Sequence, residues 1–190
     1  MLHNSGPSVT FFGSARTKED NKYYTFAKEL AHDLASQNIN IISGGGPGIM
    51  RAANEGAYEA KLAHSIGLNI DLPFEQDLNP YTTKEMTFNY FFSRKLALVK
   101  YSRACVVFPG GFGTLDELFE VLTLSQTNML KNGGCKVFLV GEEYWKDLMS
   151  FIKGSLTKEK MINEEDINLI TLSDNKEFIK DEIIRIFKEV

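Results

Sequence analysis

Glycine residues cluster at three points where a short apolar or aromatic run stops. The clusters begin at Gly13, Ser43 and Pro109, each directly after a run that is typical of a buried strand. A glycine has no Cβ, so a backbone N–H group beside it can approach an oxyanion closely. In open parallel sheets, ligands bind beyond the carboxyl ends of the strands. The three clusters therefore predict one pocket for a small anionic ligand.

The third cluster is the one best suited to a phosphate group. Gly110, Gly111 and Gly113 precede or open a predicted helix, whose first N–H groups have no partner inside the helix and lie at its positive end. Thr114 offers a hydroxyl donor, or it caps the helix. Glycine also serves strand-to-helix turns for geometry alone, but three clusters together favour a bound ligand.

The glycine spacing narrows the class of phosphate ligand. The dinucleotide fingerprint G-x-G-x-x-G is not met, because Ile49 and Asp116 stand where its third glycine is needed. The P-loop pattern G-x-x-x-x-G-K-[ST] is missing from the sequence as well. A mononucleotide is therefore a better candidate than a dinucleotide or a nucleoside triphosphate.

Carboxylates follow the third cluster directly. Asp116 is explained by the favourable interaction of a carboxylate with a helix N-terminus, worth about 0.3–1 kcal/mol. Glu117, one turn into the helix, is instead placed to bind sugar hydroxyls, orient water or stabilise positive charge on the ring. Glu120 and Thr123 follow at spacings that let them share a helix face with Glu117, so both are candidates for substrate binding.

A basic pair and an aromatic run lie upstream of these carboxylates. Arg94-Lys95 on a helix is usually solvated surface, but Arg94 can also pair with Glu117 or present its planar fork to a phosphate or ribose. The aromatic residues over 88–92 are suited to stacking on a base, although core packing or a subunit interface is the commoner use. Glu75 is a lone loop carboxylate, which the residues alone assign to the surface.

The elements that must position these residues alternate between strand and helix patterns. Such alternation predicts an α/β domain with a mainly parallel, doubly wound sheet and helices on both faces. Strands are expected over 8–12, 39–42, 65–72, 104–108, 136–140 and 169–172, with a brief one at 87–89, and helices over about 20–37, 49–58, 91–101, 113–129, 142–153 and 174–189. Residues 73–84 are predicted to form the longest loop.

Length, charge and composition argue against several classes of protein. The chain has 190 residues, a net charge of −4 and 43% hydrophobic residues, which predicts a single domain over residues 1–190. The mild acidity argues against a duplex nucleic-acid groove, and no apolar run is long enough for a membrane helix. The N-terminal residues lack the pattern of a secretory signal. Two cysteines and three scattered histidines favour a reducing cytoplasm and no metal site.

The run Pro109-Gly110-Gly111-Phe112-Gly113-Thr114-Leu115-Asp116-Glu117 matches P-G-G-x-G-T-x-x-E. With the upstream Arg94-Lys95 and the glycine turns at Gly13 and Gly44, it resembles the LONELY GUY (LOG) family, from about Phe11 to Gln126. These proteins are cytokinin riboside 5′-monophosphate phosphoribohydrolases. The resemblance implies a modified Rossmann fold, a homo-oligomer that is a dimer or larger, and hydrolysis of the N-glycosidic bond of AMP-type nucleotides. No cofactor, metal, nucleic acid or membrane is implied.

The resemblance also implies roles for individual residues. Arg94 and Glu117 match the catalytic pair. The residues that match substrate-binding positions are Ser14, Gly44, Gly45, Gly46, Glu75, Lys95, Gly110, Gly111, Phe112, Gly113, Thr114 and Thr123, of which Gly110, Gly111, Gly113 and Thr114 match the grip on the 5′-phosphate.

The sequence departs from the family's pattern in one segment, and two other functions are alternatives to the hydrolase. The aromatic segment before Arg94, in place of a methionine, resembles bacterial variants that form larger assemblies. A non-catalytic nucleotide or molybdenum-cofactor carrier has a related fold and similar glycine turns, but it has no need of Arg94 with Glu117. A dinucleotide-dependent oxidoreductase is disfavoured by the glycine spacing. The family's frequent label, lysine decarboxylase, needs a Schiff-base lysine that nothing in the sequence marks.

Overall fold

The strands are short, apolar and close to their predicted places. The structure is a computed structural model that describes residues 6–71, 78–130 and 134–188. Its strands are β1 Ser8–Phe12, β2 Asn40–Ser43, β3 Ser65–Ile70, β4 Lys84–Phe88, β5 Ala104–Val107, β6 Lys136–Leu139 and β7 Ile170–Leu172. The first three and β5 are almost wholly buried, which explains why β5 is a continuous apolar run and not an alternating one.

Helices follow the strands in turn. They are α1 Lys22–Ala35, α2 Ile49–Ala60, α3 Phe91–Lys100, α4 Phe112–Gln126, α5 Glu142–Phe151 and α6 Lys176–Lys188. Asn21 begins α1 as a side-chain cap, since its Oδ1 accepts from the Tyr23 N–H at 2.8 Å. A π-helical turn at Ile152–Leu156 continues α5, and a 3-10 helix spans Glu164–Leu169.

The order of the strands decides which loops meet. The sheet runs β4-β3-β2-β1-β5-β6-β7, and all of its pairings are parallel. The chain winds outward from β1 to β4, returns to the centre at β5 and then winds outward to β7. The winding reverses between β1 and β5, and such a reversal opens the crevice in which α/β proteins bind ligands.

The core lies in two layers, one on each face of the sheet. Strand β5 shows the division, because Ala104 and Val106 pack with α1, α2 and α6, whereas Cys105 and Val107 pack with α3, α4 and α5. Helices therefore cover both faces, as predicted for a doubly wound α/β fold. The core includes Ile179 and Ile183 of α6, so this helix is docked on the sheet, while Phe178 is half-exposed.

The boundaries differ from the predictions in a few places. Strand β4 is longer than the brief strand expected at Thr87–Asn89, because it pairs with β3 along its whole length. The π-helical turn and the 3-10 helix were not predicted, since their sequences show no period of their own. Residues 72–77 of the long predicted loop lie outside the described residues.

Within the described ranges, none of the helices combines the length and the apolar character required to cross a bilayer.

Candidate functional site

The three glycine clusters meet at the carboxyl ends of three adjacent strands. Their strands, β2, β1 and β5, lie side by side in the centre of the sheet. Ser14 ties the loops together, because its N–H donates to the Pro109 carbonyl at 3.1 Å and its own carbonyl accepts from the Ile49 N–H at 3.1 Å. Gly48 has no room for a side chain, since a Cβ there would overlap the Ser14 carbonyl. The predicted convergence is therefore confirmed for the backbone.

A buried polar network holds the turn of Gly44, Gly45 and Gly46. Gly45 has a φ of 75°, a conformation that suits glycine. The Asn79 amide donates to the carbonyls of Gly45 at 3.0 Å and Gly46 at 3.1 Å, and to the Asn54 side chain at 2.9 Å. Asn54 also accepts from the Ser43 hydroxyl at 2.6 Å. The turn is thus fixed by side chains from outside the glycine cluster.

Helix α4 begins beside this turn with its N-terminus open. Gly111 is the residue before the helix, and the Leu115 N–H donates to its carbonyl at 3.0 Å. A Cβ at Gly111 or Gly113 would meet nothing within 4 Å, so neither glycine is required by packing within the described protein. A Cβ at Gly110 would overlap Thr114, which is the third residue of the helix and therefore not its cap. The first N–H groups of the helix have no acceptor within the helix itself.

Arg94 is buried in the site and is not the solvated surface residue that a basic pair on a helix usually is. Only 9% of Arg94 is exposed. Its Nε donates to the Leu68 carbonyl at 2.7 Å, which fixes the guanidinium against the end of β3. Its Nη2 occupies the space beside Gly44 that a Cβ would fill. The glycine at position 44 is therefore needed to accommodate Arg94.

Glu117 faces Arg94 across the site. Its Oε1 lies 3.7 Å from Arg94 Nη1, as expected if the two side chains pair. The pKa of Glu117 is raised to about 7, chiefly by burial; the charges of Arg94 and Lys95 lower it, and those of Asp116 and Glu120 raise it. Near neutral pH this carboxyl is therefore present in both protonation states, which is a property that acid–base groups in active sites share.

Lys95 neutralises the other carboxylates of the helix. Its Nζ lies 3.1 Å from Asp116 and 3.2 Å from Glu120. The hydrogen bonds raise the pKa of Lys95 even though burial lowers it, so the amine stays charged. Arg94 and Lys95 thus bring two positive charges to the three carboxylates of α4.

Two of the predicted site residues do not join this group, and a third lies outside the described residues. Thr123 is exposed, and its hydroxyl donates to the Phe119 carbonyl of its own helix at 2.7 Å. It borders a small hollow with Ile162 instead of facing Glu117. The Phe112 side chain is 92% exposed and points to solvent. Glu75 lies outside the described residues.

The aromatic run before Arg94 is divided, because Phe88 packs against the core from β4 whereas the three aromatic residues after it are exposed. Tyr90, Phe91 and Phe92 are 65%, 56% and 71% exposed. Phe119 of α4 is exposed as well. Tyr90 and Phe92 stack with their ring centroids 5.6 Å apart, so the three side chains over 90–92 form an exposed aromatic surface at the start of α3.

Sequence reasoning missed two residues that shape the site. Asn79 lies in a polar loop, and Tyr144 lies on α5, where its hydroxyl donates to the Gly110 carbonyl at 2.6 Å. Neither belongs to a recognisable motif, and each reaches the site only through the fold. The one available signal was the polar composition of the loop that contains Asn79.

Hollows elsewhere on the surface lack such convergent chemistry. One of about 560 Å³ lies at the amino ends of the strands and is bordered by Pro7, Asn40 and His64. Among the described side chains, no three of the His, Cys, Asp and Glu residues are grouped as ligands of a metal ion.

Comparison with known proteins agrees with the fold and the motifs. The family model described as "Possible lysine decarboxylase" matches residues 50–183. Cytokinin riboside 5′-monophosphate phosphoribohydrolase LOG3 of Arabidopsis thaliana is 31% identical over 75% of this chain and 65% of its own length. LOG4, a second cytokinin riboside 5′-monophosphate phosphoribohydrolase of Arabidopsis thaliana, is 27% identical over 92% of this chain and 80% of its own length. The chain thus spans slightly under two thirds of LOG3.

Solved structures share the architecture at lower identity. The molybdenum cofactor carrier protein of Chlamydomonas reinhardtii superposes with a TM-score of 0.70 over 96% of this chain and 98% of its own, at 19% identity. That likeness shows the fold and no more. The family model covers most of the chain, and the motif residues stand together in the structure. The chain therefore belongs to the family described as possible lysine decarboxylases, which includes the LOG proteins.

Proposed function

We propose that this protein is a hydrolase that cleaves the N-glycosidic bond of AMP-type nucleoside 5′-monophosphates, including N6-substituted ones, to the free base and ribose 5-phosphate. The observation that carries the proposal is the buried pair of Arg94 and Glu117, 3.7 Å apart, beside the open N-terminus of α4. The names of the LOG relatives agree with this reaction and with cytokinin nucleotides as one substrate class.

The 5′-phosphate is assigned to the glycine loop. The N–H groups of Gly111, Phe112 and Gly113 and the hydroxyl of Thr114 are the proposed donors, and the positive end of α4 favours the anion. Gly110 allows Thr114 to lie against the loop, and Ser14 with the Gly44–Gly46 turn closes the other side. Binding energy from this remote phosphate then orients the ribose for reaction.

Glu117 is assigned to the bond that breaks. As the base leaves with the bonding electrons, positive charge develops on the ribose ring, and a carboxylate stabilises it. The same carboxylate accepts a proton from the water that attacks the anomeric carbon, and the departing base takes up one proton in turn, which leaves Glu117 ionised as before. Arg94, fixed by Leu68 and Gly44, holds Glu117 and presents its remaining donors to ribose or phosphate. Lys95 and Glu120 are the other charged residues of the proposed site. Substrate contact by Glu75 and Thr123 stays a prediction from the resemblance.

The reaction is tested with AMP and N6-isopentenyl-AMP as substrates and chromatography of the free base as the assay. We expect release of base by the wild-type protein and loss of at least about 100-fold in rate in Glu117→Gln, by analogy with removal of a key electrostatic group. Nucleotide binding should persist in this variant. Glu29→Gln is a matched control, because Glu29 is also ion-paired, to Lys176 at 2.7 Å, but lies on α1 across the sheet.

The outcomes separate the enzyme from a carrier. If the folded wild-type protein releases no base from either nucleotide, the hydrolase proposal fails. A pterin that co-purifies with the protein would then point to a cofactor carrier, as in the solved structures of related fold.

We also propose that the exposed aromatic surface is covered by a second copy of the chain, in a dimer or a larger assembly. Contiguous apolar surface of this kind is typical of an interface, and Tyr90, Phe91 and Phe92 all belong to it. Sedimentation velocity should show an oligomer that Phe92→Asp dissociates. Phe178→Asp, which alters a half-exposed ring on α6, should leave the oligomer intact.

Two further proposals complete the description. We propose one nucleotide-binding domain over residues 1–190, which is supported by the single sheet that joins all the described segments. We propose a cytoplasmic location, which the buried free thiols of Cys105 and Cys135 favour.

A further inference from the structure

Tyr144 connects helix α5 to the glycine loop of the proposed phosphate site. Its hydroxyl donates to the Gly110 carbonyl oxygen at 2.6 Å, a short hydrogen bond across two separate loops. Tyr144 is in the first turn of α5, and about half of its surface is exposed.

The main chain around Tyr144, at the start of α5, is held in place. Asp174 accepts from the Gly141 N–H at 2.5 Å and from the Glu142 N–H at 3.3 Å, which fixes the start of α5. The next residue, Trp145, is buried and donates its indole N–H to the Val140 carbonyl at 3.0 Å. The two rings meet edge to face, with centroids 4.8 Å apart. The phenol hydroxyl is therefore a fixed donor and not a freely rotating surface group.

A hydrogen bond to Gly110 acts on Gly111 through the peptide plane. The carbonyl of Gly110 and the N–H of Gly111 belong to one planar trans peptide and point in opposite directions. When the carbonyl oxygen is directed to Tyr144, the N–H of Gly111 is directed away from it. Glycines flank this peptide on both sides and offer little steric resistance to rotation. The Tyr144 hydroxyl is the side-chain contact that holds its orientation.

We propose that Tyr144 is a positioning residue for phosphate binding, because its hydroxyl holds the Gly110–Gly111 peptide with the Gly111 N–H available as a donor to the 5′-phosphate. The inference rests on the proposed function, which assigns the phosphate to this loop. The hydrogen bond also polarises the peptide and makes the N–H a stronger donor. The effect is specific to the phosphate, since Tyr144 needs no contact with the base or the ribose.

The test removes the hydroxyl and keeps the ring. In Tyr144→Phe the contact with Trp145 remains, so α5 should stay in place. Tyr58→Phe is the matched control, because Tyr58 is similarly exposed, packs edge-on against Tyr81 and borders the hollow at the opposite ends of the strands. Binding of AMP and of adenosine is measured by titration calorimetry, and KM and kcat for AMP are measured alongside.

For Tyr144→Phe we expect AMP binding to be about five- to tenfold weaker, which is the usual effect of losing one neutral hydrogen bond. KM for AMP should rise to the same extent, kcat should stay within about twofold, and adenosine binding should not change, because the lost orientation concerns the phosphate alone. Tyr58→Phe should match the wild type in all of these measurements.

The results separate this inference from the proposed function. Unchanged AMP binding in Tyr144→Phe overturns the inference, and so does an equal loss for AMP and adenosine, which would indicate a purely structural role. If Tyr144→Phe weakens AMP binding but the wild type releases no base, the inference stands and the hydrolase proposal fails. A wild-type protein that binds neither AMP nor inorganic phosphate overturns both.

Discussion

Arg94 and Glu117 are paired across two helices that are separate in the sequence, with Nη1 and Oε1 3.7 Å apart. Both side chains are largely buried, and the Arg94 Nε is already committed to the Leu68 carbonyl at 2.7 Å. Burial lowers the pKa of Arg94, and the charge of Glu117 partly offsets this effect. The pair is long for a salt bridge, which leaves both groups with hydrogen-bonding capacity for a ligand.

The raised pKa of Glu117 predicts a pH-dependent rate. Its ordinary value is 4.5, and burial moves it to about 7. If the ionised carboxylate stabilises the ribose cation, kcat/KM for AMP should increase tenfold per pH unit below about 7 and level off above it. A pH–rate profile measures this limb. A rate that is flat from pH 5 to pH 8 would contradict the assigned role.

Replacing Lys95 should shift the pH at which the rate rises with the ionisation of Glu117. The charge of Lys95 lowers the pKa of Glu117, and Lys95 also neutralises Asp116 and Glu120, which raise it. In Lys95→Met we therefore expect the midpoint of the pH–rate profile at a higher pH than in the wild type. Lys146→Met on α5 is the control, because its partner Glu143 is exposed. A midpoint that stays in place or moves to lower pH is the contrary result.

A side chain at position 44 should displace Arg94. A Cβ there would overlap the Arg94 guanidinium and lie 2.6 Å from the Met50 sulfur. Gly44→Ala should therefore lower kcat/KM by at least about 100-fold, because a small misplacement of a reacting group has effects of this size. Gly154→Ala, at a position where a Cβ meets nothing within 4 Å, should retain wild-type activity. Full activity of Gly44→Ala would show that the position of Arg94 does not matter.

Asn79 should stabilise the protein through the glycine turn. It is 5% exposed, and its amide donates three hydrogen bonds, to Gly45, Gly46 and Asn54. Asn79→Ala leaves buried acceptors without this donor, so the free energy of unfolding should fall by about 2–3 kcal/mol. Urea denaturation measures the change. Asn168→Ala, at an exposed position, should change it by less than about 0.5 kcal/mol, and an equal effect of the two variants would contradict the argument.

The two cysteines should be unreactive in the folded protein. Cys105 and Cys135 are both fully buried, their sulfur atoms lie 3.0 Å apart, and burial raises the pKa of the Cys105 thiol. We expect no alkylation by iodoacetamide at pH 8 until the protein is unfolded in guanidinium, as seen by mass spectrometry. Ser155→Cys adds an exposed thiol as a positive control. Rapid alkylation of the native wild type would show that this part of the core opens.

Local patterns were sufficient for the elements of the fold. Apolar runs such as Ala104–Val107 identify buried strands because a strand covered on both faces has few polar positions. The glycines that end these runs, at Gly13, Gly44 and Gly110, identify strand ends because turn chemistry depends on only a few neighbouring residues. The motif around Glu117 was also visible without any structure. The fold class and the candidate residues of the motifs therefore followed from the sequence by itself.

The tertiary structure decided which of those residues meet. Strand order is set by crossover connections and not by any local pattern, and it placed the ends of β1, β2 and β5 side by side. It buried Arg94 against Gly44, turned Thr123 away, and brought in Asn79 and Tyr144, which carry no motif. These contacts join residues far apart in the chain, and their energies depend on packing and burial that exist only once the sheet has formed.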